Sequence, residues 1–332
     1  MSTIREIVIG HLENKNVLIL NNHFDITEFY KYLDGKDPIK FCKTLDNIVF
    51  FYPENIPFEL LKLMDLLASN EIPFVCNSFC ITLQNYFDTK YRPGLASFPT
   101  LSSANQGHFR RKLPWFDILK VKSKERKYRI KHFTNLRKIN RDIAFDFLQK
   151  NGFCTEENLI TFRGNNLTNF DEYKSYLTEN CYKEFDYNSL NEIHYESETQ
   201  KNLDPAKYKE TADDLLFHSH ENVMFDIVTE SVHPWENSDR EILQKISSVT
   251  KRIILPCLFK NVFHIYPKNK PLETWLVNNG FELFFNSDDD FLENCNKEFY
   301  LSNDVQKKLE KNYSLMLSLY FEELQSFLFQ EC

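Results

Sequence analysis

Short apolar runs alternate with amphipathic segments over the first 76 residues, and this alternation constrains the fold more than any other feature. The runs Asn16–Leu20, Asn47–Tyr52 and Ile72–Cys76 have the length and the β-branched and aromatic content of buried strands. The segments Ile26–Leu33 and Pro57–Ser69 carry apolar residues at helical spacing. Strand, helix and strand joined by short connections are typical of a β-α-β unit, so a parallel sheet is predicted.

The same alternation returns in the second half of the chain. The predicted strands are Tyr128–Phe133, Asn222–Glu230, Arg252–Leu255, Asn261–Ile265 (a short strand or a loop) and Phe281–Phe285. The predicted helices are Asp142–Asn151, Phe170–Glu179, Asp204–Asp214, Ser238–Thr250 and Pro271–Asn279, with one or two more in Asn303–Phe329.

These elements predict an α/β protein with two Rossmann-like β/α domains. We place the first in residues 1–125 and the second in residues 126–302, with a helical tail over residues 303–332. Residues 164–221, which hold 13 acids and five lysines, form an acidic insertion in the second domain.

One basic stretch, residues 108–141, lies inside an acidic chain. It holds 13 Lys or Arg and two acids, whereas the whole chain has a net charge of −8. Such a band suits an anionic partner, either the phosphates of a nucleotide or those of a nucleic acid. Alternatively it is a solvated basic face whose charges pair with acids elsewhere. Its first part combines cations with an aromatic side chain, so Arg110, Arg111, Lys112 and Trp115 are candidate acceptor or phosphate ligands.

Several functional classes are disfavoured by motifs that the sequence lacks. The chain has only seven glycines and contains neither GxGxxG nor GxxxxGK[ST], which argues against a typical dinucleotide dehydrogenase and a P-loop NTPase. Its eight cysteines are scattered without a CxxC pair, so we expect free thiols, no zinc site and a reducing compartment. The pair His218 and His220 is interpreted as incidental. Without about 18 consecutive apolar residues or a secretory signal pattern, a cytoplasmic protein outside the membrane is expected.

Polar residues follow two of the predicted strands in the first half. Ligands of parallel sheets gather at the carboxyl ends of strands, so Asn21 to Asp25 and Asn77 with Ser78 are expected at the rim of a cleft. The alternative is that these residues serve only as turn and helix-cap residues.

Several ordered elements of the second half resemble a glycosyltransferase-like family of large phages and giant viruses, whose C-terminal part is similar to fucosyltransferase-type GT-B enzymes. The matching elements are Asn135-x-Arg137-x-x-x-Arg141 entering a helix, a strand ending Val228-Thr229-Glu230, Leu243-Gln244-Lys245 in place of Thr-Glu-Lys, the apolar segment Ile253–Pro256, and the helix Leu272–Gly280 followed by Phe281. The resemblance covers residues 126–285.

This resemblance implies a GT-B-like enzyme whose two domains face a cleft that holds a nucleotide sugar. Without a metal, Arg137, Arg141 and Lys245 are expected to stabilise the departing phosphate. Asn135 belongs to the same donor-binding element. Glu230 is expected to hold the ribose hydroxyls. Gln244, where the family has Glu, is expected to offer a hydrogen bond without a charge.

If transfer inverts the anomeric carbon, a general base on the N-terminal side must take the proton of the acceptor hydroxyl. Asp25 is the first candidate and His23 the second.

The identity of the acceptor stays open at this stage. A hydroxymethylated base in double-stranded phage DNA, flipped out of the duplex, would suit the basic stretch. A glycan or a protein in a viral pathway is the alternative acceptor. Outside the enzyme class, the chain is a nucleic-acid-binding protein on a degenerate transferase fold or a structural virion protein. Apart from the nucleotide-sugar co-substrate, no cofactor and no metal are expected.

Overall fold

A computed structural model describes the chain over residues 16–21, 26–51, 58–77, 81–98, 126–134, 139–163, 190, 193–196, 219–229 and 251–329. These residues divide into two compact units. The first holds residues 16–98 together with residues 319–329, and the second holds the described residues from 126 to 318. The predicted domain boundaries stay predictions, because the chain around residues 99–125 lies outside the described part.

The first unit is built on a parallel sheet, as the opening alternation predicts. Its strands are β1 (Val17–Asn21), β2 (Asn47–Phe51), β3 (Phe74–Asn77) and β4 (Ala96–Ser97), and they pair in this order. Its helices are α1 (Ile26–Leu33), α2 (Pro38–Cys42), α3 (Phe58–Ser69) and α4 (Ile81–Lys90). All three strand pairs are parallel, and the predicted helices over 26–33 and 57–69 are confirmed.

Aromatic rings fill the core of the first unit beneath β2 and β3. Phe74 meets Phe50, Phe87 and Phe98 edge-on, with ring centroids 5.5 to 6.2 Å apart. Edge-to-face pairs stabilise beyond the area they bury, by about 0.5 to 1.5 kcal/mol each. These Phe side chains therefore hold the short strands against α4.

The second unit contains a five-stranded sheet with the order β7-β6-β5-β8-β9. The strands are β5 (Tyr128–Thr134), β6 (Leu159–Arg163), β7 (His194–Glu196), β8 (Val223–Val228) and β9 (Val262–Ile265). Only the edge strand β7 runs antiparallel to its neighbour. All residues of β8 and β9 are buried, which is usual where helices cover both faces of a sheet, and Asp226 and His264 are the polar residues among them.

The helices of the second unit correct one of the strand predictions. They are α5 (Ile139–Lys150), α6 (Lys251–Leu258), α7 (Lys270–Asn278), α8 (Asp288–Asn294), α9 (Lys297–Leu301) and α10 (Asn303–Phe329). The predicted strand Arg252–Leu255 is wrong, because this segment is the first part of α6. Ile253, Ile254 and Leu255 are all buried, and a short run buried on every side looks the same in a helix and in a strand.

The predicted strand Phe281–Phe285 is also wrong, since the segment has no regular structure. Aromatic packing holds it instead: Phe284 meets Phe263 edge-on at 5.2 Å, and Phe285 stacks on Phe299 at 5.3 Å. Asn312 of α10 accepts a hydrogen bond from the Glu282 nitrogen and donates one to its carbonyl oxygen. These bonds satisfy backbone groups that a neighbouring strand would otherwise satisfy.

Two smaller expectations concern the cysteines and the membrane. The described cysteines 42, 76, 154, 257 and 295 are free thiols, as predicted for them. Among the described helices, none is long and apolar enough to cross a lipid bilayer.

Candidate anion-binding site

The strand order of the second unit creates a switch point between β5 and β8. From β5 the chain passes through α5 to β6 on one side, whereas α6 leads to β9 on the opposite side of β8. The connections that follow β5 and β8 therefore lead to strands on opposite sides of this strand pair. Ligands of open α/β sheets bind at such a switch point.

Two threonines mark the carboxyl ends of these strands. Thr134 ends β5, and Thr229 directly follows β8; both are buried. The Thr229 hydroxyl oxygen accepts a hydrogen bond of 2.7 Å from a terminal guanidinium nitrogen of Arg252. The Thr134 hydroxyl lies 3.0 Å from Nε2 of His132. Both hydroxyls are thus fixed by partners in the fold.

Two arginines reach this edge from the first turns of neighbouring helices. Arg141 lies in the first turn of α5 and Arg252 in the first turn of α6, and both are half-buried. A helix N-terminus adds a partial positive charge and directs its first N–H groups outward. Guanidinium groups bind phosphate through two parallel hydrogen bonds. Arginines in this position suit a phosphate group.

The positive charges at this edge affect the pKa of the neighbouring His132. Its Nε2 lies 3.4 Å from the Arg141 carbonyl oxygen, and the residue is almost completely buried. Burial lowers the pKa of His132 to about 3, and the positive charges of Arg252 and Arg141 contribute to that decrease. The ring is therefore neutral at physiological pH, and the cationic charge at the site belongs to the arginines.

A buried polar cluster lies on the opposite face of the same two strands. Lys131 and Asp226 are register partners on β5 and β8, and their side chains form an ion pair of 2.9 Å. His220 donates through Nδ1 to Asp226 over 3.1 Å and accepts at Nε2 from Lys131. Asn261 donates to the same carboxylate over 2.7 Å. We call these four residues the Lys131 cluster.

The surroundings of His220 and Asp226 in the Lys131 cluster shift their pKa values and so determine their protonation states. Burial lowers the pKa of His220 to about 4, and the Lys131 ammonium also lowers it. Burial alone would raise the pKa of Asp226, but the hydrogen bond from His220 and the positive charge of Lys131 hold it well below its usual range. The carboxylate is consequently ionised, the imidazole neutral and the lysine charged. The cluster links β5, β8 and the residue before β9 to one another. It thereby stabilises the part of the sheet that ends at the β5/β8 edge.

Arg126 anchors the amino ends of the same strands. Its guanidinium donates to the carbonyl oxygens of His220, Glu221 and Phe259, and to the Tyr300 hydroxyl at 3.2 Å. Arg126 and Lys131 both belong to the basic stretch 108–141, and both are buried and satisfied inside the fold. Neither residue lies on the solvated basic face that the alternative describes: Lys131 pairs with the buried Asp226, and Arg126 donates to carbonyl oxygens.

Of the predicted site residues, the structure describes Arg141, which lies at the switch point. Asn135, Arg137 and Glu230 lie outside the described residues, although Asn135 directly follows Thr134 and Glu230 follows Thr229. The other predicted site residues that lie outside are Asp25, His23, Gln244, Lys245, Arg110, Arg111, Lys112 and Trp115.

Sequence reasoning missed four residues at this edge: His132, Thr134, Thr229 and Arg252. Arg252 was assigned to a strand, which hid its place in the first turn of a helix. The other three are polar residues within or directly after apolar strands. That position was a usable signal, because a polar residue at the carboxyl end of a parallel strand is a candidate ligand.

Comparisons of the chain with protein-family models, with curated proteins and with solved structures found no match. Within the described ranges, no group of three or more His, Cys, Asp or Glu side chains is arranged to hold a metal ion. What this site can do chemically follows from its own residues.

Proposed function

We propose that the chain is a metal-independent glycosyltransferase that binds the phosphates of a nucleotide sugar at the β5/β8 edge. The observation that carries this proposal is the pair Arg141 and Arg252. Each lies in the first turn of a helix beginning at the carboxyl end of a central parallel strand. The half-buried position of both arginines favours this use, because a charge-assisted hydrogen bond is stronger where water is partly excluded.

In the proposed reaction, charge develops where these cations lie. The acceptor oxygen forms a bond to the anomeric carbon, and the bond from that carbon to the phosphate oxygen breaks. The phosphate leaves with the electron pair, and a general base takes the proton of the acceptor hydroxyl. Arg141 and Arg252 would stabilise the leaving phosphate more strongly in the transition state than in the bound substrate, which lowers the barrier.

The family resemblance is consistent with this proposal after one change of assignment. The resemblance expects a cation at the start of a helix that precedes an apolar strand, and Lys245 was the predicted cation. The helix before the apolar strand β9 is α6, and Arg252 lies in its first turn. We therefore assign the second phosphate-binding cation to Arg252.

The remaining assignments complete the proposal. Asn135, Arg137 and Glu230 are expected beside Thr134 and Thr229 because they adjoin them in the sequence. The first unit would bind the acceptor in a GT-B-like arrangement, with Asp25 or His23 after β1 as the general base.

A hydroxymethylated base in DNA and a glycan or protein hydroxyl are the two acceptor classes. The acceptor ligands in the proposal are Arg110, Arg111, Lys112 and Trp115.

A thermal-shift panel of nucleoside diphosphates and nucleotide sugars tests donor binding. A ligand that binds only the folded chain raises its melting temperature by mass action. The panel would be repeated with Arg252→Gln, which keeps a hydrogen-bond donor for Thr229 but lacks the charge. Arg92→Gln, at an exposed position of the first unit, is the matched control.

We expect one nucleotide class to stabilise the wild type and the control, and to stabilise Arg252→Gln much less. Losing a charged hydrogen bond costs about 1.5 to 3 kcal/mol, or about ten- to 150-fold in affinity. If no nucleotide stabilises the chain while it binds DNA with a steep salt dependence, the nucleic-acid-binding alternative replaces this proposal.

A further inference from the structure

A cavity of about 170 Å³ lies in the second unit between β9, the first turn of α7 and the segment 283–288. Its volume is close to that of an engineered cavity of about 150 Å³ that holds benzene. The space can therefore accept a six-membered ring with a short substituent. Asn286, Ser287 and Asp288 line the cavity and are exposed, so it is accessible to solvent on that side.

The apolar part of the lining is held in place by contacts within the fold. The Phe284 ring meets Phe263 edge-on at 5.2 Å, and the Phe285 ring is stacked on Phe299 at 5.3 Å. The described apolar lining residues are Phe263, Ile265, Leu283, Phe284 and Phe285. A small ring that enters the cavity would bury its apolar surface against side chains whose positions are already fixed.

Two carboxylates line the same cavity, and both have hydrogen-bonding capacity open to a ligand. Asp288 accepts a hydrogen bond of 2.9 Å from His264 through Oδ1. Neither its Oδ2 atom nor the Glu273 carboxylate has a hydrogen-bond or ion-pair partner in the part of the chain that the structure describes. Glu273 is half-buried in the first turn of α7. Because a shielded carboxylate without a partner costs free energy, a ligand that donates to it would be stabilised.

The charge around the cavity is negative. Lys268 is the only Lys or Arg among the described lining residues; it is exposed and forms no ion pair with Glu273 or Asp288. Two carboxylates and one ammonium group give this lining a formal charge of −1. The adjoining segment 283–293 contains four acids and no Lys or Arg. The resulting field favours a positively charged ligand.

We propose that this cavity binds a small organic cation, namely a primary ammonium group carried on a single apolar ring. The three donors of an ammonium group suit the open oxygens of Asp288 and Glu273. The aromatic lining adds attraction, because the faces of aromatic rings attract cations. The inference does not rest on the proposed function, since it uses none of the residues at the β5/β8 edge.

Ligands of the same size but of other charge fit this lining less well. An anion would meet two carboxylates against the single Lys268, so it would be repelled. A neutral ring would fill the apolar part of the cavity but would offer the carboxylates no charged donor. Charge is therefore the property by which the cavity should discriminate among ligands.

The test is a set of titrations of the full chain with benzylamine, benzyl alcohol and benzoate, followed by ligand-observed NMR. These probes share one ring and differ in charge. The variants are Glu273→Gln, Asp288→Asn and the charge reversal Glu273→Lys. Glu298→Gln, at an exposed position of α9 outside the cavity lining, is the matched control. Melting temperatures measured beside the titrations show that each variant is folded.

We expect benzylamine to bind the wild type and the control about tenfold or more tightly than benzyl alcohol, and benzoate to bind more weakly than both. Glu273→Gln and Asp288→Asn should each weaken benzylamine binding several-fold. Glu273→Lys should reverse the preference, so that benzoate binds this variant more tightly than benzylamine does and more tightly than it binds the wild type. Such a gain cannot come from a damaged fold.

Three results would overturn the proposal. The first is equal affinity of the wild type for benzylamine and benzyl alcohol, because the cavity would then recognise the ring alone. The second is the absence of binding by any of the three probes at millimolar concentration. The third is benzylamine binding that both Glu273→Gln and Asp288→Asn retain at wild-type affinity, because the amine would then bind elsewhere on the chain.

Discussion

Two buried histidines should make the second unit progressively less stable below about pH 6.5. The pKa of His132 is lowered to about 3 and that of His220 to about 4, in both cases mainly by burial. An unfolded histidine titrates near pH 6.5. Below that pH the unfolded chain gains a proton at each position that the folded chain does not bind. Stability is thus fully present above pH 6.5 and is lost as the pH falls toward the folded values.

The size of the loss follows from proton linkage. Each histidine that stays neutral in the folded state costs about 1.4 kcal/mol per pH unit below 6.5. Between pH 7 and pH 5 this amounts to about 2 kcal/mol per histidine and about 4 kcal/mol for both. The neighbouring Asp226 keeps its charge over this interval, because its pKa is lowered.

Urea unfolding at pH 7 and pH 5 measures this loss. Trp275 of α7, which stacks on Phe281, reports on the second unit when Trp115 and Trp235 are replaced by Phe. For a urea slope of about 2 kcal/mol per molar, the predicted loss lowers the midpoint by about 2 M.

His132→Gln and His220→Gln should each remove about half of the difference between the two pH values, and the double variant should remove nearly all of it. His194→Gln, at an exposed position of the edge strand β7, is the control. It should leave the difference in stability between the two pH values unchanged. Comparing pH values within each variant cancels the loss of stability that the substitution itself causes. A difference that survives in the double variant would refute the reasoning.

Three further predictions concern polar groups around the sheet. Asp226→Asn should lower the free energy of unfolding by about 3 to 5 kcal/mol in urea titrations, because it leaves Lys131 buried without its ion-pair partner; the double variant with Lys131→Met should recover much of this loss. Arg126→Met should lower the melting temperature strongly in calorimetry, since three carbonyl oxygens each lose one donor, whereas Arg92→Gln should not. Thr229→Val should weaken nucleotide binding several-fold in calorimetric titrations with little change in melting temperature, because it removes the hydroxyl that orients the Arg252 guanidinium.

Much of the fold could be predicted because its signals are local. The helix Ile26–Leu33 and the end helix Asn303–Phe329 are found with the predicted boundaries, since apolar spacing and flanking polar residues are visible within each segment. The segments 252–255 and 281–285 could not be predicted, because burial on all sides and aromatic packing between distant residues decide their structure. A sequence window contains neither kind of information.

The candidate site was predictable only in part for the same reason. Arg141 lies in the first turn of a helix that follows a strand, and this pattern is recognisable in the sequence, so it could be identified. Arg252 required the location of α6, which depends on tertiary packing. The Lys131–Asp226 pair joins positions 95 residues apart in the sequence, and only the strand register brings them together.

The central claim is that the two arginines at the β5/β8 edge hold the phosphates of a nucleotide. Isothermal calorimetry with the nucleoside diphosphate that gives the largest thermal shift tests it most directly, using the wild type, Arg141→Gln, Arg252→Gln and the double variant. The account predicts binding by the wild type, a loss of about tenfold or more in each single variant, and no detectable binding in the double variant at an unchanged melting temperature. Binding that the double variant retains at wild-type affinity would contradict the claim.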